Sequence, residues 1–160
     1  MSLRIRDARP ADCEFLARGN EAMALETEHK TLDPQVVRRG VAAALADAAH
    51  GRYFVAEDDQ GRPVGQLMVT YEWSDWRNGQ FWWIQSVYVL PDWRRRGVFR
   101  ALYQHVDRLA RGTQGVCGLR LYVEADNVNA QRTYERCGMG DAGYRVMEVD
   151  YSRARDRAGD

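Results

Sequence analysis

Residues 87–100 read VYVLPDWRRRGVFR, and residues 101–111 continue ALYQHVDRLAR. An apolar β-type run stops at Pro91, a basic turn follows, and Gly97 leads into an amphipathic helix. Val98, Leu102, Val106 and Leu109 recur at helical spacing, while Arg100, Gln104, Asp107 and Arg108 fall mostly outside that stripe. A strand, a basic turn and a helix start together make an anion site. The free N–H groups of a helix N-terminus point at a ligand, and the macrodipole favours negative charge. Arg94, Arg95 and Arg96 add full charges, and Gly97 allows the backbone close to a phosphate. A diphosphate fits this description. So does a simpler reading, in which the arginines form a solvated turn and Gly97 only starts a helix. The turn has neither G-x-G-x-x-G nor G-x-x-x-x-G-K-[ST], which excludes a dinucleotide fingerprint and a P-loop.

Val89-Leu90-Pro91-Asp92-Trp93-Arg94-Arg95-Arg96-Gly97-Val98-Phe99 resembles the acyl-CoA motif of the GNAT superfamily of N-acetyltransferases, a strand followed by Arg/Gln-x-x-Gly-x-Gly/Ala. Arg94 and Gly97 match its first two defined positions, and Phe99 departs from the third. Asn127-Val128-Asn129-Ala130-Gln131-Arg132-Thr133-Tyr134-Glu135-Arg136-Cys137-Gly138-Met139 resembles the family's Asn-x-x-Ala-x-x-x-Tyr-x-x-x-Gly-Phe block, with Met139 in place of Phe. Both blocks occur in the family's order and spacing.

At 160 residues, the natural expectation is one domain, here residues 1–151, with the charged stretch 152–160 as a frayed tail. Hydrophobic residues make up 45% and the formal net charge is +0, which argues against disorder and against a polyanion-binding surface. The arginines thus suit a local anion and not nucleic acid. Cys13, Cys117 and Cys137 are an odd set without metal-type spacing. His29, His50 and His105 form no ligand pattern either, so no metal is expected. The start, MSLRIRDARPAD, lacks an apolar signal region, and no apolar run spans a bilayer. These features point to the cytoplasm and away from a membrane.

Hydrophobic periodicity predicts a strand over Leu3–Asp7, then a helix from Pro10 that includes Phe15, Leu16, Met23 and Leu25. Asp33-Pro34 predicts the cap and first turn of a second helix running to about His50, with Gly51 as its stop. Tyr53–Glu57 and the run from Pro63 to Tyr71 predict a hairpin. Trp73–Gly79 reads as a loop, and Phe81–Leu90, apolar on both faces, as a central strand. A helix from Gly97 to about Arg111, a strand over Cys117–Val123 and a short helix capped by Asn127 follow. Gly143–Tyr151 alternates loosely and is expected to close the sheet. The order β-α-α-β-β-β-α-β-α-β(β) describes an α/β (α+β) fold with a mixed, mostly antiparallel sheet flanked by helices, as the GNAT resemblance implies. The resemblance also implies that the strands ending at Val89 and Val123 splay apart around the pantetheine arm.

Acetylation of an amine by a thioester needs a diphosphate clamp, a polarised carbonyl, a neutral amine and an acid for the thiolate. The clamp is the turn Arg94, Arg95, Arg96, Gly97, Val98, Phe99 and Arg100. The resemblance implies that backbone groups of Val87 and Val89 hold the pantetheine arm and thioester oxygen of acetyl-CoA, and that Asn127 bonds the CoA arm as well as capping its helix. It also makes Tyr134 the candidate acid, since a phenol is protonated at neutral pH; a buried tyrosine bonded to backbone is the plainer alternative. Glu72 and Asp75 lie among Trp73, Trp76, Trp82 and Trp83. Two readings fit these aromatics: core filling, or an acceptor pocket whose rings and carboxylates attract a cation. In the second, Glu72 takes the amine proton directly or through water, and Gln85 orients that water. Glu26 and Glu28 lie in the region that in the family covers the acceptor.

The expected activity is acetyl-CoA-dependent transfer to a small-molecule or peptide amine, directly within a ternary complex. A non-catalytic acyl-CoA sensor or interaction module is the alternative. The aromatic content permits a homodimer.

Overall fold

Among the described residues five strands form one sheet in sequential order: β1 (Arg4–Asp7), β2 (Arg52–Glu57), β3 (Pro63–Ser74), β4 (Gly79–Val89) and β5 (Val116–Leu121). Each pair is antiparallel except β4 with β5, which is parallel. Three helices belong to the same unit: α1 (Cys13–Glu28), α2 (Pro34–Ala46) and α3 (Val98–Gly112). The computed structural model describes residues 2–152, and these fall into two compact units, one through Tyr122 and one from Val123. The second unit carries α4 (Val128–Arg136).

The sheet has two covered faces because strand residues alternate. On one, Leu16 and Ala17 of α1 and Val41 and Ala44 of α2 pack with Tyr53 and Val55 of β2. The other face carries Phe54, Leu67 and Val69, all buried, and meets α3 through buried Leu102 and Val106. Gly65 allows α3 to sit close: a Cβ there would lie 2.7 Å from Val98 Cγ1. This contact anchors the first turn of α3, the turn that follows Gly97.

Local signals account for most boundaries. Asp33 caps α2, its Oδ1 accepting from Gln35 N at 2.8 Å, and Pro34 occupies the first turn where its missing N–H costs nothing. The helix stops at Ala46, short of His50, because Asp47 is already extended. The predicted helix from Pro10 begins as a short 3₁₀ turn, Pro10–Asp12, before α1.

Two expectations need correction. Trp73 and Ser74 are strand and not loop: they pair with Gln80 and Gly79, so only a four-residue turn joins β3 to β4. Among the described residues, Gly143–Tyr151 forms no strand. Tyr144, Val146, Met147, Val149 and Tyr151 are all exposed. Their alternation provides the side-chain pattern, but a strand also needs a hydrogen-bonding edge, and this segment pairs with none. The expected tail lies outside the described residues from position 153 onward.

Candidate active site

The pairing of β4 with β3 is regular until the middle of β4. Met68 pairs with Gln85 and Gln66 with Tyr88, so Ser86 and Val87 together oppose the single residue Leu67. This is a β-bulge, which interrupts the ladder and re-aims the backbone. Ser86 stands at φ 49°, in the left-handed region that a non-glycine residue adopts only when its surroundings hold it there. On the other side, pairing with β5 ends at Ile84 with Leu121, while β4 runs on to Val89. The backbone around Val87 and Val89 therefore has no β5 partner.

The chain leaves β4 through the short turn Pro91–Trp93 and reaches α3 through Arg94–Gly97. Arg95 at φ 58° and Gly97 at φ 81° bend this loop sharply. Gly97 is the N-cap of α3, and no side chain caps the helix. The first helical bond runs from Ala101 N to Gly97 O, so the N–H groups of Val98 and Arg100 lie before it. Among the described residues a Cβ on Gly97 would meet nothing within 4 Å, so the space beside Gly97 is open. Arg94, Arg95, Arg96 and Arg100 are exposed around it. An uncapped helix end, an open approach and four guanidinium groups suit a diphosphate, and the residues present fit a CoA nucleotide. Phe99, at the motif's third position, is half-buried and packs toward Tyr103 at 6.1 Å.

Arg94 is not free. Its Nε donates to Val89 O at 3.0 Å and its Nη2 to Glu26 Oε2 at 2.7 Å. Glu26, in the last turn of α1, also accepts from Tyr88 Oη at 3.3 Å. Burial, followed by the Glu26 charge, holds the Tyr88 phenol above its ordinary range. Glu28 lies outside this group, 3.4 Å from Lys30 on the surface.

Further along the same face, Glu72 Oε2 accepts from Trp83 Nε1 at 3.2 Å, and Oε1 accepts from Arg120 Nη1. The Arg120 guanidinium lies 3.7 Å from the Phe81 ring centroid. Gln85 donates to Thr70 Oγ1 beside them. Glu26, Tyr88, Gln85, Thr70, Glu72 and Arg120 thus make a polar row that passes the bulge.

The structure does not gather Trp73, Asp75 and Trp76 into this row. Trp73 belongs to the opposite face, where it lines a concavity with Tyr71, Gln80 and Trp82. Asp75 and Trp76 occupy the hairpin turn, with Trp76 86% exposed. Trp82 is core. Strand alternation separates these neighbours in sequence. Thr70, Tyr88 and Arg120 are the members that sequence reading missed. Arg120, a lone charge inside the strand Val116–Leu121, was the available signal.

In the second unit, Asn127 Oδ1 accepts from Ala130 N at 3.1 Å and caps α4. Gly138 at φ 89° ends it. Tyr134 is half-buried on this helix; burial, and then the neighbouring Cys137, push its phenol above the ordinary range.

The sequence model of the Acetyltransferase (GNAT) family matches residues 20–139. The chain belongs to this family. A possible acetyltransferase from Clostridium difficile 630 is 43% identical, superimposes with a TM-score of 0.87, and the match covers 94% of this chain and 98% of that one. A GCN5-related N-acetyltransferase from Ralstonia eutropha JMP134 shares the fold at 21% identity, TM-score 0.73, over 92% and 99% of the two chains. AAC(6')-Iy, in complex with the bisubstrate analogue CoA-S-monomethyl-acetylneamine, shares it at 17% identity, TM-score 0.72, over 94% and 99%. No curated protein matches the chain. The GNAT match places this protein among acyl-transferring enzymes. Among the described residues no helix is long and apolar enough to cross a membrane, and no group of three His, Cys, Asp or Glu side chains could hold a metal ion.

Proposed function

We propose that the protein is an acetyl-CoA-dependent N-acetyltransferase acting in the cytoplasm, moving an acetyl group to a primary amine by direct transfer. One observation carries the reading: a single strand, β4, holds the bulge at Ser86–Val87 and runs into an open, uncapped helix end ringed by arginines. AAC(6')-Iy, of the same fold, is seen with a CoA-based bisubstrate analogue, which supports the choice of cosubstrate. The acceptor is a small-molecule or peptide amine.

Acetyl-CoA supplies an activated acyl carbon. The α3 N-terminus with Arg95, Arg96 and Arg100 binds the diphosphate. Arg94 takes part once it leaves Glu26. Backbone groups of Val87 and Val89 polarise the thioester carbonyl, and Asn127 bonds the arm. The amine nitrogen bonds to the acyl carbon and the carbon–sulfur bond breaks. The amine gives up a proton toward Glu72, and Tyr134 protonates the departing thiolate; its role rests on the motif it shares with the family. Both Glu72 oxygens are already engaged. With both oxygens taken, the proton leaves through a water aligned by Gln85. Glu26 and Glu72, at either end of the row, attract the ammonium form of the acceptor.

Glu72→Gln is expected to lower kcat by about 10²-fold at acid pH, where most amine is protonated, and by less at alkaline pH. A ratio of variant to wild-type kcat that stays flat across the pH profile assigns Glu72 to anchoring Arg120 alone.

A non-catalytic acyl-CoA-binding module is the second reading, favoured by the same pairing of both carboxylates with arginines. Thiol release from acetyl-CoA across a panel of mono- and diamines separates the two. Amine-dependent release supports the enzyme. Tight acetyl-CoA binding without release on any amine supports the module.

A further inference from the structure

Gln66 interrupts an apolar run, Val64-Gly65-Gln66-Leu67-Met68-Val69, and its side chain is 0% exposed. Its Nε2 donates to Asn20 Oδ1 at 2.8 Å and Leu16 O at 3.3 Å, both on α1, and to Ser86 O at 3.4 Å on β4. Three oxygens around one nitrogen fix the amide orientation, since a flipped amide would point its own oxygen at them. Asn20 is itself set by its Nδ2, which donates to Tyr53 Oη at 3.2 Å. The other end of the amide, Oε1, abuts Gly19, where a Cβ would come within 2.2 Å. A glycine thus stands on α1 where the amide needs room.

Buried amides are retained where their hydrogen bonds hold something in place. Here the thing held is the bulge. Gln66 is the last residue in register before it, and the carbonyl it engages belongs to Ser86, the residue at φ 49°. A leucine or methionine would fill the same space without that bond.

We propose that Gln66 is a positioning residue for acyl transfer. Its amide holds the Ser86 carbonyl, which keeps the bulge in the form that aims the Val87 backbone at the thioester oxygen. Through Leu16 and Asn20 it sets that bulge against α1, the helix that carries Glu26 in its last turn. The inference rests on the acetyltransferase reading above.

The test uses Gln66→Met, Gly19→Ala and the double variant Gln66→Met/Ser86→Gly. Three quantities are read: CoA affinity by calorimetry, kcat on the best amine, and the infrared stretch of a carbon-13 thioester carbonyl in bound acetyl-CoA. Gln66→Met should leave CoA affinity within a few-fold of wild type. Its kcat should fall about tenfold, short of the ~10²-fold seen when an oxyanion donor is deleted outright, and the carbonyl stretch should move toward its solution value. Gly19→Ala, which displaces the amide from α1, should act in the same direction. Ser86→Gly removes the cost of the left-handed backbone, so the double variant should regain much of the lost kcat. A merely structural glutamine would show no such rescue. Folded Gln66→Met and Gly19→Ala proteins with wild-type carbonyl stretch and kcat would overturn the inference while leaving the acetyltransferase reading intact. A wild-type protein that binds acetyl-CoA with the solution carbonyl frequency would overturn the polarised-carbonyl reading, and this inference with it.

Discussion

Replacing Gly97 by glutamate should raise the Kd for CoA by about 10²-fold, or about 2.7 kcal/mol. A Cβ at Gly97 would meet no described atom within 4 Å, so the new side chain has room and extends toward the helix end where a diphosphate would sit. Its carboxylate adds like charge at a helix end that favours anions. Gly97 also stands at φ 81°, so part of the loss could come from backbone strain. Gly97→Asn separates the two causes, because asparagine tolerates the left-handed region and brings no charge. It should bind CoA within about tenfold of wild type. Calorimetry showing unchanged affinity in a folded Gly97→Glu protein would remove the diphosphate from this turn. Pantetheine without the nucleotide should bind far more weakly than CoA to the wild type.

Tyr134→Phe removes one hydroxyl and little volume. If the phenol protonates the thiolate, kcat should fall by about 10²-fold or more while acetyl-CoA affinity hardly changes. Burial raises the Tyr134 pKa, so the phenol keeps its proton to higher pH than a free tyrosine. The sign follows: the acid form is fully present at neutral pH and is lost only above the ordinary phenol range, so activity should have no alkaline limb from this group near neutrality. A kcat within a few-fold of wild type would make Tyr134 a structural residue of α4.

The basic turn and the helix after it were legible because their signals are local. A basic turn, a glycine and a 3.6-residue stripe all fall within residues 91–111, and α3 begins at Val98 as that pattern implies. Asp33-Pro34 and Asn127 announced their caps for the same reason. The polar row on the sheet was not legible, because strand alternation and register decide its members. Trp73 and Glu72 are adjacent in sequence and face opposite sides of the sheet; Glu72 and Arg120 are far apart in sequence and form an ion pair. The bulge at Ser86–Val87 needed the β3–β4 register, since nothing in Gln-Ser-Val-Tyr marks a left-handed serine. Gly143–Tyr151 shows the converse: its alternation is real, but a strand also depends on a partner edge that lies elsewhere in the chain.

Direct acetyl transfer is tested most sharply by initial rates with acetyl-CoA and the best amine both varied, the products followed by mass spectrometry. Transfer in a ternary complex predicts intersecting double-reciprocal lines, with the acetyl group recovered on the acceptor nitrogen and none on the protein. Parallel lines with an acetylated protein, or no acetylated amine from any acceptor that the protein binds, would contradict it.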